Sequence, residues 1–348
     1  MERSHEDIAF FVKILLPRFR DFGILGIVRT VERRNVNVSE KLIIGNESHS
    51  YEVAQGWGKL PEGITYGYTH GIVVDANDNV YVHNTSKDSV VVFDKEGNFL
   101  TSWGAEFEGG AHGFYLHRDD ADGIEYLYFA DTNRALVVKT TLSGDVLLEI
   151  SGPERPDLYD AERRYVPTDV CVAPNGDIYV SDGYGQFYIH HYDAKGNYIR
   201  SWGGRGSEPG KVKEPHGISI NLRGDEPEIY VADRRNSRIQ VFTLEGEHKR
   251  FVDHNLDLPC SFYFFGDEVY MPDLDSRITV LDKNDRLITH LGEDQQAYKQ
   301  QGWPNLPKEY YRPDKFSSPH GVCVDSQGNV YVAEWIFDGR ITKLIRQK

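Results

Sequence analysis

A chain of 348 residues with a formal net charge of −15 can form several small domains or one large domain with a single core. Its 39 lysines and arginines are outnumbered by 54 aspartates and glutamates and form no basic block, which argues against nucleic-acid binding. The 33 glycines, the two methionines and an aromatic content of 12% are typical of a turn-rich β protein with a packed core.

The segment 1–40 differs from the rest of the chain. It begins MERSHEDIAFFVKILL, in which an apolar run follows acidic residues and is interrupted by Lys13. This pattern predicts a short helical segment that packs on the main body, with a membrane-surface anchor as the alternative. No export signal is recognisable, and no stretch reaches the ~18 apolar residues of a membrane helix. We therefore expect a cytoplasmic protein with no membrane span.

From about residue 41 onward the chain repeats itself. Six copies, among them THGIVVDANDNVYVHNTSKDSVVVF and PHGVCVDSQGNVYVAE, start 42 to 60 residues apart. Each copy reads as short strands separated by turns such as DAND and KEGN. A four-stranded unit that cannot bury its own faces stacks on copies of itself, as propeller blades do. The sequence therefore predicts an all-β fold, a single six-bladed β-propeller over 41–348.

The last copy ends at Lys348 after only three strands, so one strand of the ring must come from elsewhere. The stretch 51–58, YEVAQGWG, has the same WG ending as TSWG and RSWG in other copies. We expect this N-terminal strand to complete the sixth blade and close the ring. The units resemble NHL repeats.

One position at the start of each copy faces the central channel in every blade. The six residues there are His70, His112, Thr168, His216, Cys260 and His320. His112, His216 and His320 are spaced 104 residues apart on alternate blades, so their imidazoles converge with near-threefold geometry and leave a metal position open. The alternative is that these histidines only hydrogen-bond loop backbone. All-imidazole ligation favours zinc, although iron, copper and nickel also accept it.

Three segments, PTDVCVAPNGDIYVSDGYG, WGGRGSEPGKVKEPHGISI and IYVADRRNSRIQVF, carry a resemblance to a known family. They resemble peptidyl-α-hydroxyglycine α-amidating lyase, a six-bladed propeller with a three-histidine zinc on its axis. The resemblance implies zinc ligands at His112, His216 and His320, a catalytic tyrosine at Tyr184 and an active-site arginine at Arg234. It also implies a reaction in which a tyrosinate near the metal deprotonates a substrate hydroxyl and a C–N or C–O bond breaks.

The chain departs from that family at several positions. Where the family has another active-site arginine in its first blade, this sequence offers His83, Asn84 and Lys87. Gly321 replaces the aspartate that helps to bind structural calcium, so calcium is not expected. His70 is an additional axial imidazole and a candidate fourth ligand or general base.

These features predict a metal-dependent lyase, with zinc as the expected metal, that acts on a hydroxylated small molecule. The substrate would be anionic if Arg234 grips a carboxylate as a bidentate fork. Two alternatives stay open, a non-catalytic NHL propeller that binds a partner on its top face and a propeller hydrolase or isomerase acting on a sugar or lactone. Tyr184 as a channel-lining aromatic and Arg234 as an ion-pair partner of Asp233 are the structural alternatives. No feature indicates an oligomeric state.

Two further features have weaker signals. The insertion 293–316 before the sixth blade is either a lid that brings Trp303, Tyr310 and Tyr311 to a ligand or a packed loop. One acid recurs in each of five copies after the second strand, and repetition of this kind predicts a structural role for Asp131, Asp182, Asp233, Asp273 and Glu334.

Overall fold

The structure, a computed structural model, describes residues 41–348. This part of the chain contains 25 strands and four single-turn 3-10 helices, at Ala105–Phe107, Arg234–Asn236, Ala297–Lys299 and Lys308–Tyr310, and no α-helix. The helical segment predicted for 1–40 lies outside the described residues. Between residues 41 and 348, no helix is long and apolar enough to cross a membrane.

The strands form six antiparallel sheets arranged as a six-bladed propeller. The described chain opens with two short strands, β1 (Ile43–Gly45) and β2 (Ser50–Val53). Blades one and two follow as β3 (Thr69–Val74), β4 (Val80–Asn84), β5 (Val90–Phe93), β6 (Phe99–Trp103), β7 (Ala111–Arg118), β8 (Glu125–Asp131), β9 (Leu136–Thr141) and β10 (Val146–Ser151).

The middle three blades are also four-stranded meanders in which consecutive strands pair. Blades three and four contain β11 (Asp169–Val172), β12 (Ile178–Ser181), β13 (Tyr188–Tyr192), β14 (Tyr198–Gly203), β15 (Pro215–Asn221), β16 (Glu228–Asp233), β17 (Arg238–Phe242) and β18 (His248–Val252). Blade five contains β19 (Tyr263–Phe265), β20 (Glu268–Asp273), β21 (Arg277–Leu281) and β22 (Leu287–Leu291).

The sixth blade is completed by the N-terminal strand. Its own strands are β23 (Pro319–Val324), β24 (Val330–Glu334) and β25 (Arg340–Arg346). Strand β2 pairs with β25, with Tyr51 opposite Arg346, and β1 then adds a fifth strand that the sequence analysis did not foresee. The closing strand is shorter than 51–58 because Gly56 and Gly58 adopt positive φ angles of 71° and 72°, which end the extended backbone.

The hydrophobic cores lie between neighbouring blades. In the cluster at the ring closure, Val82 and Phe93 of blade one pack with Cys323 and Tyr331 of blade six. Near the axis the inner strands approach so closely that glycine is required. A Cβ on Gly217 would lie 2.2 Å from the carbonyl oxygen of Cys260, and a Cβ on Gly321 would lie 2.6 Å from that of His70.

The acids that recur after the second strand of the blades have the expected structural role. Asp233 accepts a hydrogen bond from the backbone N–H of Lys213 at 2.7 Å and pairs with Arg238 at 2.7 Å. Glu334 likewise accepts the N–H of Ser317 at 2.7 Å. In blades four and six these buried carboxylates fasten the loop that enters the blade to the end of its second strand.

Closure of the ring by β2 predicts a large contribution of Tyr51 to stability. Tyr51 is fully buried, its hydroxyl lies 3.1 Å from the Tyr270 hydroxyl, and it accepts a hydrogen bond from Arg346 at 2.9 Å. We expect Tyr51→Ala to lower the free energy of unfolding by about 3–5 kcal/mol through the lost ring and the cavity. Tyr51→Phe should cost only about 1 kcal/mol. Urea unfolding of both variants measures these losses.

Ile43 on β1 gives the matched control for this measurement, because it is 47% exposed at the outer edge of the same sheet. Ile43→Ala should change the free energy of unfolding by no more than about 0.5 kcal/mol. Equal losses for Tyr51→Ala and Ile43→Ala would contradict a closing role for Tyr51.

Candidate metal centre

Four imidazoles meet on the propeller axis at the start of the inner strands. They belong to His70 in β3, His112 in β7, His216 in β15 and His320 in β23, and none is more than 8% exposed. Neighbouring ring centroids lie 4.7 to 5.1 Å apart. The ligand atoms of His70, His112 and His320 lie within 4.8 Å of one another, as do those of His216, Cys260 and His320.

The three histidines on alternate blades share one hydrogen-bonding pattern. The Nδ1 atom of each faces the carbonyl oxygen of the axial residue in the next blade, His112 with Thr168 at 2.6 Å, His216 with Cys260 at 2.9 Å and His320 with His70 at 3.0 Å. Because a carbonyl oxygen can only accept, Nδ1 must carry the proton in each ring. The Nε2 atom of each ring therefore keeps its lone pair.

His70 does not share this pattern. Its Nδ1 faces the carbonyl oxygen of Tyr68 in its own blade at 3.3 Å. Burial lowers the pKa of His70 to about 3. The pKa values of the other three axial histidines also lie well below the ordinary value, first because of burial and then because of neighbouring imidazoles and Arg234. All four rings are therefore neutral at pH 7.

This set of donors fits a zinc ion. Catalytic zinc takes neutral imidazole nitrogens from three protein ligands and keeps one position open. A backbone carbonyl that binds the other ring nitrogen fixes the tautomer and the ring orientation, as in known zinc sites. His112, His216 and His320 each have this second contact with a backbone carbonyl. The two sets of ligand atoms that lie within 4.8 Å of one another divide these three histidines between them and include His70 and Cys260.

Tyr184 reaches the same centre from blade three. Its hydroxyl lies 3.0 Å from Nε2 of His112 and 3.2 Å from Nε2 of His216. Arg234 donates a hydrogen bond from Nη2 to this hydroxyl at 3.3 Å. Burial raises the pKa of Tyr184, and the positive charge of Arg234 opposes that rise. The structure thus brings the predicted tyrosine, the predicted arginine and two of the axial histidines into direct contact.

The loop that presents Tyr184 is held in place by Asp182. This carboxylate accepts the backbone N–H of Val166 at 2.7 Å and that of Gln186 at 2.6 Å. A Cβ on Gly185 would lie only 1.9 Å from Asp182 Oδ1, so the glycine after the tyrosine is required. The SDGYG segment therefore positions Tyr184 through local contacts.

Arg234 is held by Glu214, a residue that the sequence analysis missed. The guanidinium donates through Nε at 2.8 Å, and also through Nη2, to the same carboxylate oxygen of Glu214. Asp233, the expected partner, pairs with Arg238 instead. Glu214 thus occupies the Nε–Nη2 edge of the guanidinium, and Nη2 also reaches the Tyr184 hydroxyl. The signal for Glu214 was its place two residues before His216, in KEPHG.

The residues that stand in place of the family's first-blade arginine serve the blade itself. His83 is fully buried, and its ring packs against Phe114 and Phe129 at centroid distances of 5.2 and 5.0 Å. The Asn84 side chain accepts backbone N–H groups in the adjacent turns, and Lys87 is exposed. His83 and Asn84 are therefore structural residues of blade one.

A second missed residue is Trp335, whose ring centroid lies 6.5 Å from that of His70. It directly follows Glu334, just as Arg234 directly follows Asp233, so the repeat itself could have identified it. In the insertion 293–316, Trp303 donates its indole N–H to the Ser317 carbonyl at 2.9 Å and packs 6.3 Å from Trp335. The insertion thus contacts Ser317, which follows it in the chain, and Trp335, which lies beside His70.

An internal cavity of about 670 Å³ runs along the axis from the four histidines between the inner strands. Its lining is mainly apolar and includes Ile72, Phe114 and Ile220. Asp169 also lines it, and burial raises the pKa of this carboxyl to about 7. The axial histidines are therefore adjacent to open space inside the channel.

Comparison with known proteins agrees with this architecture. The NHL repeat family model matches residues 213–242 and 316–335. NHL repeat-containing protein 3 of Homo sapiens is 28% identical over 55% of this chain and 56% of that protein. A probable peptidyl-alpha-hydroxyglycine alpha-amidating lyase of Caenorhabditis elegans is 43% identical over 22% of each protein. Peptidyl-alpha-hydroxyglycine alpha-amidating lyase 1 of Drosophila melanogaster is 24% identical over 85% of this chain and 47% of that protein.

The chain thus spans less than two thirds of the length of these relatives. Among solved structures, a gluconolactonase from Xanthomonas campestris matches with a TM-score of 0.59 and 12% identity over 88% of this chain and 95% of that chain. A streptogramin B lyase matches with a TM-score of 0.56 and 15% identity over 82% and 95%. At such identities the likeness concerns the fold alone. The chain carries NHL repeats and resembles the peptidyl-α-hydroxyglycine α-amidating lyases.

The alternating pattern of Nδ1 hydrogen bonds predicts which histidines hold a metal. Protein purified without chelator should contain about one zinc ion per chain. His112→Ala, His216→Ala and His320→Ala should each lower the content below about 0.2 per chain, because catalytic zinc needs all three ligands. Elemental analysis of the folded variants measures the content.

His248 provides the control for these substitutions, since it lies on the outer strand β18 and away from the axis. His248→Ala should leave the metal content unchanged. Zinc that is absent from the wild-type protein, or that survives His216→Ala, would contradict the assignment.

The burial of His83 predicts a specific dependence of stability on pH. Burial lowers its pKa from 6.5 to about 3, so below pH 6.5 the unfolded chain binds a proton that the folded chain does not. Stability is therefore lost as the pH falls from 6.5 towards 3. Between pH 7 and pH 5, His83→Phe should lose about 2 kcal/mol less free energy of unfolding than the wild type. Urea unfolding at the two pH values tests this, and equal losses would contradict it.

Proposed function

We propose that the protein is a metal-dependent lyase that acts on a hydroxylated small molecule at the axial site. The observation that carries the proposal is the contact of the Tyr184 hydroxyl with Nε2 of both His112 and His216, beside Arg234. A phenol has a pKa of about 10 and needs adjacent positive charge to act as a base at neutral pH. The resemblance to amidating lyases supports the same role for this tyrosine.

His112, His216 and His320 would hold the metal through their Nε2 atoms. When bound there, zinc supplies a Lewis acid that lowers the pKa of a hydroxyl group beside it. The backbone carbonyls that accept from Nδ1 keep the three rings in the metal-binding tautomer. His70, which lies outside this threefold set, is the candidate for a fourth ligand or a second base.

Tyr184 moves the proton in the proposed reaction. Its phenolate oxygen takes the proton of the substrate hydroxyl, and the electron pair of that O–H bond forms a carbonyl group. The neighbouring C–N or C–O bond breaks, and its electron pair leaves with the departing nitrogen or oxygen. That atom takes the proton back from Tyr184, so the phenolate is restored and no water is consumed. The substrate therefore carries its hydroxyl and its leaving group on one carbon.

Arg234 stabilises the phenolate in this scheme. Its guanidinium donates to the Tyr184 hydroxyl, and its positive charge lowers the pKa of the phenol. Glu214 fixes the guanidinium through two hydrogen bonds to one oxygen. Arg234 thus acts on the base in this scheme, and the scheme does not require an anionic substrate.

A non-catalytic NHL module that binds a partner on the same face is the second candidate. It is favoured by the likeness to the human relative, whose name states repeats and no activity. This candidate predicts no stoichiometric metal and no turnover of hydroxylated amides, hydroxy acids or oxidised sugars. Measurements of metal content and of turnover therefore distinguish the two candidates.

Removal of the Tyr184 hydroxyl should abolish turnover and leave the metal in place. We expect Tyr184→Phe to lower kcat for an N-acyl-α-hydroxyglycine about 10²- to 10⁴-fold, which is the usual effect of losing a general base. Zinc content, measured on the same sample, should equal that of the wild type.

Tyr188→Phe is the control, because Tyr188 is a neighbouring tyrosine in strand β13 with its ring beside His190. It should retain full activity. Wild-type kcat in Tyr184→Phe would remove this tyrosine from the mechanism, and loss of zinc from that variant would assign it to metal binding.

A further inference from the structure

A group of aromatic side chains lies beside the axial histidines on the side of blades six and one. It consists of Tyr68, Trp303, Trp335 and Phe337, and we call it the aromatic wall. The Tyr68 ring lies 5.7 Å from Trp335 and 5.9 Å from Phe337, and Trp303 lies 6.3 Å from Trp335. Trp335 in turn lies 6.5 Å from His70. The rings therefore form a continuous surface that begins at the metal centre.

The aromatic wall is not part of a hydrophobic core. Phe337 is 62% exposed, and the other three side chains are partly exposed. Single exposed apolar residues are common on protein surfaces, whereas a contiguous apolar patch beside a polar site marks a place where a ligand binds. Its position against His70 connects this patch directly with the proposed reaction site.

The insertion 293–316 holds the aromatic wall in a fixed arrangement. Asn305 donates a hydrogen bond from Nδ2 to the Tyr68 hydroxyl at 2.8 Å and accepts the backbone N–H of Phe337 at 2.7 Å. Trp303 donates its indole N–H to the carbonyl of Ser317. These contacts join three separate segments of the chain. Because the Tyr68 hydroxyl and the Trp303 indole N–H are already hydrogen-bonded, these two residues offer mainly their ring faces to a ligand.

The two sides of the metal centre therefore differ in chemistry. Blades three and four present the hydroxyl of Tyr184 and the ion pair of Arg234 with Glu214, while blades six and one present ring faces. We propose that the aromatic wall binds an aromatic group of the substrate, linked to the carbon that bears the hydroxyl. The proposal rests on the proposed lyase function for the identity of that carbon. Offset or edge-to-face contacts between rings would select this class of substrate.

The test uses the full chain loaded with zinc and two probes that lack the reactive hydroxyl, N-benzoylglycine and N-acetylglycine. The probes differ in the ring, and neither can be turned over. Calorimetry should show that N-benzoylglycine binds at least about tenfold more tightly than N-acetylglycine to the wild type, because only its ring covers the aromatic wall. Trp335→Ala should remove this preference and change the Kd of N-acetylglycine less than about twofold.

Further variants keep the test decisive. Trp335→Phe retains a ring and should restore most of the preference. Phe337→Ala alters a side chain that is 62% exposed, so it tests the wall even if Trp335→Ala fails to fold. Ile124→Ala truncates a residue that is 51% exposed in blade two and should leave the preference unchanged.

Equal binding of the two probes to the wild type would overturn the proposal, as would a preference that survives both Trp335→Ala and Phe337→Ala. Failure of the proposed lyase function can be distinguished from failure of the aromatic wall as a binding site. A ring preference without turnover of any N-acyl-α-hydroxyglycine would overturn the lyase function and leave the aromatic wall as a binding site. Turnover without a ring preference would overturn only the role of the wall.

Discussion

The hydrogen bonds from Nδ1 of His112, His216 and His320 to backbone carbonyls are the contacts on which the site depends. Each bond crosses from one blade to the next, so the orientation of each imidazole is set by the packing of two neighbouring blades. The bond of His320 crosses from blade six to blade one, the seam that strand β2 closes. The contact that fixes the tautomer of His320, a candidate metal ligand, therefore depends on the closure of the ring.

The sequence contained the three candidate ligands because the axial position recurs once in each copy. The spacing of 104 residues also separated them from His70, but it did not show which carbonyl accepts the hydrogen bond of each Nδ1, because this depends on contacts between blades. Glu214 was missed for a related reason. No other copy has an acid two residues before its axial residue, and the acid next to Arg234 in the chain, Asp233, is already used by the framework of blade four.

The propeller architecture could be predicted from the sequence more fully than the length of the closing strand or the role of the insertion 293–316. Alternating apolar residues and Asx turns recur in every blade, so local signals agree with the global fold. The closing strand was predicted too long because the WG ending of 51–58 turns away from the sheet at Gly56 and Gly58. The insertion 293–316 has no periodicity, and sequence alone left it open as a lid or a packed loop. Its contacts of Asn305 with Tyr68 and of Trp303 with Trp335 depend on other loops of the chain.

Many of the acidic side chains behind the net charge of −15 have structural roles in the blades. One group of aspartates accepts backbone N–H groups in the turns between strands, namely Asp75, Asp94, Asp193, Asp282 and Asp325. At the axis the imidazoles are neutral, and the charge of Arg234 is paired with Glu214. Apart from a bound metal, the centre thus has little charge with which to attract or repel a ligand. A substrate chosen at this centre would be chosen by the metal and by the ring faces beside His70, and the acidity of the whole protein would have little influence on that choice.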